Sequence, residues 1–206
     1  MATLTVTTFV TLDGVMQAPG GPGEDPSGGF DYEGWLVSYG DQVFMDFIAD
    51  LWTRPTAFLL GRKTYEIFAS YWPRMTDPAD PIAGKLNALP KFVATKSLRD
   101  AAWNNTTLLH GDLRQEVEKL KRTHEGEVQV HGSGELVQSL LTHGLVDAFN
   151  VMTFPLVLGK GKRLFGSGTV PLALTRTSIR ETTTGATLAT YRPAGLPKTG
   201  TIGQPG

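Results

Sequence analysis

The run Val128-Gln129-Val130-His131 passes into Gly132-Ser133-Gly134 and then into Glu135-Leu136-Val137, where an apolar strand gives way to helical spacing. Small residues at such a turn let a ligand approach the main chain. The amides that open the helix point outward together, and with the helix dipole they attract phosphate. The same three residues also make a plain tight turn, and Val137 stands where the third glycine of a GxGxxG fingerprint would fall, so the segment does not decide the matter alone. A second junction of the same kind follows Thr56-Ala57-Phe58-Leu59-Leu60, where Gly61-Arg62-Lys63-Thr64-Tyr65-Glu66 opens another helix. Two such junctions can share the phosphates and ribose of one dinucleotide. Arg62 adds charge beside them. Lys96-Ser97, just past the strand at 91–95, sets an ammonium and a hydroxyl where a ribose 2′-phosphate would lie, although a solvated surface lysine has the same appearance.

Other chemistry is weaker or excluded. The chain has no cysteine, which removes thiolate nucleophiles, disulfides and Cys-based zinc sites. His110, His124, His131 and His143 show no metal-ligand spacing and no HExxH, so no metal is expected. His131, last in its strand, either faces the site or sits satisfied in the core. No serine occupies a GxSxG elbow, which argues against an acyl-transfer triad. Asp13, Asp31, Asp41 and Asp46 are the carboxylates near the expected cleft that could donate a proton or hold a ring nitrogen. Asp46 is the first choice, with Asp13, Gly14 and Trp35 lining the substrate side. Trp35, with Phe30 and Tyr32, either stacks on a flat heterocycle or pins the neighbouring loop to the body.

The elements that must position these groups follow from periodicity. Thr3 to Thr11 is a β-branched strand ending at the turn signal Leu12-Asp13-Gly14. From Pro19 to Gly29 eight of eleven residues are glycine or proline, a flexible loop that is either a lid over the site or a plain insertion. Val43, Phe44, Phe47, Ile48 and Leu51 mark an amphipathic helix over 41–51. Further strands are expected at 56–60, 91–95, 106–109, 128–131, 148–154, 172–180 and 186–192, with helices opening at Gly61 and spanning 82–89, 112–123 and 135–143. Alternation of this kind specifies an α/β fold. Its sheet should be mostly parallel with an antiparallel C-terminal part and helices on both faces. Ligands gather at the carboxyl ends of such strands, where Asp13-Gly14, Gly61, Lys96 and Gly132 all fall. One domain over 1–192 is expected, followed by a polar Gly/Pro-rich tail over 193–206 with no structure of its own.

At 206 residues, 40% hydrophobic and 19% charged, with a net charge of −1, the chain has the composition of an ordinary globular protein. No basic run provides a footprint for nucleic acid, and no apolar stretch nears the roughly 20 residues that span a bilayer. A cytoplasmic protein that binds neither nucleic acid nor membrane is expected.

The ordered set VTLDGVMQ, LLGRKTYE, KFVATKSL, VQVHGSGELVQSLL and LVDAFNVMTFPLVLGKGKRLF resembles the dihydrofolate reductase-like superfamily over roughly residues 3–192. It is most similar to the reductase domain of the bacterial bifunctional riboflavin-biosynthesis enzyme, without the zinc-binding deaminase half. GRKTYE and the PxxLGxGxxLF pattern at Pro155 to Phe165 are the specific parts. The resemblance implies a three-layer fold, an NADPH site, hydride transfer to a small heterocyclic substrate such as an aminouracil, and a homodimer. It also implies residue roles. Gly61, Arg62 and Thr64 would meet the pyrophosphate and adenosine side, Lys96 and Ser97 the 2′-phosphate, and Gly132, Ser133, Gly134, Glu135 and Leu136, after His131, the pyrophosphate. The acidic residue that binds pterin in dihydrofolate reductases has its counterpart near Met45, one step from Asp46, which argues against dihydrofolate. Dihydrofolate reductase-type activity and a non-catalytic NADPH or nucleotide-binding protein remain the alternatives.

Overall fold

A computed structural model describes residues 1–77 and 79–203. Eight strands form one sheet: β1 (Thr3–Thr11), β2 (Pro55–Gly61), β3 (Lys91–Ala94), β4 (Thr106–Leu109), β5 (Glu127–His131), β6 (Ala148–Phe154), β7 (Leu174–Glu181) and β8 (Thr187–Pro193). Their spatial order is β4-β3-β2-β5-β1-β6-β8-β7. The first six in this order run parallel, while β8 pairs antiparallel with β6 and β7 with β8.

Parallel strands covered on both faces need apolar residues on both, and Ala57, Phe58, Leu59 and Leu60 are all fully buried. Alternate residues feed two cores. Leu4, Val6, Ala57, Leu59, Val128 and Val130 pack against α4 (Leu113–Thr123) and α5 (Gly134–Thr142). Phe58, Leu60, Met152 and Phe154 pack against α1 (Gln42–Thr53), α2 (Arg62–Tyr71) and α3 (Pro81–Ala88). This is the expected three-layer arrangement. No helix among the described residues is long and apolar enough to cross a membrane.

Two segments carry contacts that the sequence does not show. The Gly/Pro segment at 19–29 has a defined course, because polar side chains on either side of it satisfy its backbone. The Gln17 amide donates to the carbonyls of Asp25 and Ser27, each at 2.9 Å, and the Glu33 carboxylate accepts from the amides of Gly23 and Asp25 at 2.9 and 2.8 Å. Lys162 pairs with Asp25 at 2.6 Å. The expected tail also begins later, since Ala173 and Ala194–Gly195 continue the β7–β8 ladder through two bonds of 2.8 Å. The part of that tail at 204–206 lies outside the described residues.

Candidate functional site

Each helix N-terminus leaves three or four amides without an intrahelical partner. In α1, α3 and α4 an aspartate answers them: Asp41, Asp80 and Asp112 accept from the first-turn amides at 2.8 to 3.1 Å. The N-termini of α2 and α5, which follow Gly61 and Ser133, have no side-chain cap. These two helices leave the carboxyl ends of β2 and β5, which are neighbours in the sheet. The amides of Arg62, Lys63 and Thr64 and those of Gly134, Glu135 and Leu136 therefore open side by side, with no protein acceptor among the described residues.

Ser133 fixes this arrangement. Its backbone is left-handed at φ 55°, and its Oγ accepts the Gly61 amide at 2.9 Å while donating to the His131 carbonyl at 2.9 Å. Its own amide donates to Thr64 Oγ1 at 3.0 Å. The Ser133 hydroxyl is thus committed to the protein, whereas the Thr64 hydroxyl keeps its hydrogen for a ligand. Gly132, also at positive φ (54°), could not carry a side chain freely, since a Cβ there would lie 3.3 Å from Thr64 Oγ1. Of the remaining expected ligands, Glu135 is exposed and offers only its amide, its carboxylate being of the wrong sign for phosphate; Leu136 is buried and likewise offers only backbone. Arg62 is half-exposed and paired to Glu66 at 3.2 Å, an exposed pair that a phosphate can displace.

Lys96 and Ser97 are exposed at the carboxyl end of β3, one strand beyond β2. Thr95 Oγ1 accepts from the amides of Ser97 and Leu98 at 3.2 and 3.0 Å, which sets the turn, and Lys96 joins no ion pair among the described residues. The structure thus brings Gly61, Arg62, Thr64, Lys96, Ser97 and Gly132 to Leu136 to one edge, the carboxyl ends of three adjacent strands.

The expected catalytic and substrate residues fare differently. Asp13 is a clamp. It accepts from Thr11 Oγ1 at 2.5 Å, from the amides of Leu158 and Gly159 at 3.2 and 2.9 Å, and from Arg163 Nη2 at 3.2 Å. These bonds, that from Thr11 first among them, hold its carboxyl well below the usual carboxylate range, so it is ionised and not a proton donor. Gly14, at φ 80°, completes the same turn, and its carbonyl accepts from Leu164 at 3.1 Å. Asp46 lies on the exposed side of α1, where Gln42 donates to it at 2.7 Å. Trp35 is buried; its Nε1 donates to the Gln17 carbonyl at 2.8 Å and its ring meets Phe154 edge-on at 5.6 Å, so it pins the loop and is not free to stack on a ligand. The His131 ring turns into the layer under α1, stacked on Trp52 at 4.8 Å and edge-on to Phe58. Burial lowers its pKa to about 3 and keeps it neutral.

Sequence reasoning missed Met16, Arg163 and Gln17. Met16 Sδ would lie 3.3 Å from a Cβ on Gly134, so its side chain walls the N-terminus of α5. Arg163 Nε donates to the Asp13 carbonyl at 2.8 Å, closing the loop that the PxxLGxGxxLF pattern encodes. An open cleft of about 680 Å³ lined by Pro73, Asn87 and Trp103 lies by the amino ends of β3 and β4 and is remote from these groups.

The RibD C-terminal domain model matches residues 2–188. Among solved structures, a putative riboflavin biosynthesis protein from Shewanella sp. PV-4 superposes with a TM-score of 0.72 at 24% identity, covering 94% of this chain and 99% of that one. The diaminohydroxyphosphoribosylaminopyrimidine deaminase/5-amino-6-(5-phosphoribosylamino)uracil reductase of Thermotoga maritima gives 0.59 at 16% identity over 94% of this chain and 57% of the longer protein. A dihydrofolate reductase from Enterococcus faecalis, solved with NADP(H), gives 0.55 at 14% identity over 93% and 96% of the two chains.

Proposed function

The chain belongs to the RibD C-terminal domain family, a reductase family with the dihydrofolate reductase-like fold, and from that premise we propose that it is an NADPH-dependent reductase passing a hydride to a small, flat heterocycle of the aminopyrimidinone kind. The observation that carries this reading is the pairing of two uncapped helix N-termini, α2 and α5, at adjacent strand ends. A pyrophosphate is the ligand such a pair fits, since it answers amides from both helices at once.

NADPH, when bound, supplies the hydride; the protein supplies position and field. Thr64 Oγ1–H and the first-turn amides of α2 and α5 would hold the pyrophosphate. Lys96 and Ser97 would hold the 2′-phosphate and so select NADPH over NADH. Asp13 and Arg163 order the loops beyond β1 and β6 without taking part in proton transfer. A homodimer in the cytoplasm is the proposed working form. Because Asp13 is ionised and committed to the loops, and Asp46 is exposed and bonded to Gln42, a second reading keeps the cofactor site and drops turnover: a protein that binds NADPH without reducing anything.

Titration of the purified protein with NADPH and with NADH, followed by quenching of its four tryptophans, tests the first step. Micromolar affinity with a clear preference for NADPH is expected, and absence of saturable binding overturns both readings. Oxidation of NADPH by one of a panel of aminopyrimidine, pterin and quinone-like acceptors then separates the reductase from the binding protein.

A further inference from the structure

Two strand ends meet at the edge of the sheet where Lys96 lies. β3 and β4 run parallel with Ala94 beside Leu109, and the residues that follow, Thr95 and His110, carry the chain out at their carboxyl ends. The Thr95 amide donates to the Leu109 carbonyl at 3.1 Å, and His110 Nδ1 lies 3.1 Å from the Thr95 carbonyl. A carbonyl oxygen only accepts, so Nδ1 carries the hydrogen and donates it. That carbonyl belongs to the peptide bond joining Thr95 to Lys96, which seats the imidazole against the backbone of Lys96 itself.

His110 is exposed, as are Lys96 and Ser97. The two nitrogens of an imidazole point away from one another, so the bond that ties Nδ1 to the strand ends turns Nε2 to the solvent side. The charged groups that flank the ring are Lys96 from the end of β3 and Asp112 and Glu116 from α4. The Asp112 carboxylate is engaged by the Gln115 amide at 3.0 Å, and that of Glu116 lies over Gly111. The N-terminus of α4 is thus answered by its own cap, and what this edge offers an anion is side chains.

Resting on the NADPH reading above, we propose that His110 is a specificity-determining residue, which as an imidazolium donates from Nε2 to the ribose 2′-phosphate beside Lys96 and Ser97 and adds to the preference for NADPH over NADH. With Nδ1–H held by Thr95, a neutral ring shows the phosphate only the Nε2 lone pair, which repels it. The contact therefore exists only while the ring carries its second proton. A group that the complex holds as a cation contributes at lower pH and ceases to contribute as pH rises, so discrimination between the two cofactors becomes pH-dependent.

Calorimetric titration of the purified protein with NADP⁺ and with NAD⁺, in phosphate-free buffer from roughly pH 6.5 to 8.5, reads this directly. The NADP⁺-to-NAD⁺ affinity ratio of the wild type should fall several-fold over that range. His110→Asn keeps an N–H for the Thr95 carbonyl and offers nothing to the phosphate; it should lower the ratio at the acid end by about tenfold and abolish its pH dependence. His110→Arg, a permanent cation, should keep the ratio high at both ends. A wild-type ratio independent of pH, or one unchanged by His110→Asn, overturns the proposal and leaves Lys96 and Ser97 to hold the 2′-phosphate alone. Equal weakening of both dinucleotides by His110→Asn shows that the ring only braces the strand ends, which overturns it as well. Equal affinity of the wild type for the two dinucleotides removes the 2′-phosphate subsite together with this role, whereas failure to bind either one overturns the cofactor reading itself.

Discussion

The Oγ of Ser133 accepts the backbone amide of Gly61 at 2.9 Å, a bond between residues 72 positions apart that ties the α5 junction to the α2 junction. Ser133→Ala removes this bond and the one to the His131 carbonyl. At about 1 kcal/mol or less apiece, the loss should lower Tm by roughly 3–6 °C and weaken NADPH binding several-fold through misalignment of the two helix ends. Calorimetry with and without NADPH checks both effects, and a variant with unaltered affinity would dissociate the tie from the site.

Lys96 is the exposed cation proposed for the 2′-phosphate. A cation–phosphate contact is worth roughly 1.5–3 kcal/mol, so Lys96→Ala should narrow the NADPH-to-NADH affinity ratio by about 10- to 100-fold with NADH affinity unchanged. Parallel fluorescence titrations give the ratio, and an unchanged one removes Lys96 from the site.

Asp13→Asn should cost about 2–3 kcal/mol at neutral pH, because four donors lose their anion. The carboxyl is held below its unfolded value, so its contribution is complete above the unfolded pKa of about 4 and is lost as pH falls below that. Thermal melts from pH 7 to pH 2.5 should show the two proteins converging at the acid end.

His131 has the same sign of linkage by a different cause. Burial keeps it neutral in the native protein down to a pKa of about 3, whereas the unfolded chain takes up a proton below about 6.5. The native state therefore loses up to about 1.4 kcal/mol per pH unit from this residue between roughly pH 6 and 4. Urea unfolding of wild type and His131→Gln at several pH values should differ in slope by that amount, and equal slopes would show that the ring is protonated in the native state.

Much of the fold was legible because local pattern and tertiary burial agree here. The expected strand at 3–11 and the one at 148–154 match β1 and β6 end for end, and the helix expected at 112–123 begins one residue later because Asp112 is its cap. The two uncapped junctions could be read from a glycine or serine where other helices begin with aspartate. What the sequence hid were contacts between distant segments. Asp13 reads as a carboxylate near a cleft until its partners at 158–163 arrive from across the sheet. Trp35 reads equally as a stacking ring and as a pin for the loop, and Gln17 and Phe154 decide for the pin. The Gly/Pro segment at 19–29 reads as loose because its hydrogen-bonding partners, Gln17, Glu33 and Lys162, stand outside it.

The place of β1 between β5 and β6 sets the order in which the molecule can assemble. Thr3 of β1 aligns with Glu127 and Thr5 with Ala148, so both partners of the central strand are translated more than a hundred residues after it. During vectorial synthesis this β-branched segment emerges with neither neighbour available and must stay unpaired until most of the chain has left the ribosome. The strand around which the sheet is organised is thus also the segment of the nascent chain that waits longest for its neighbours.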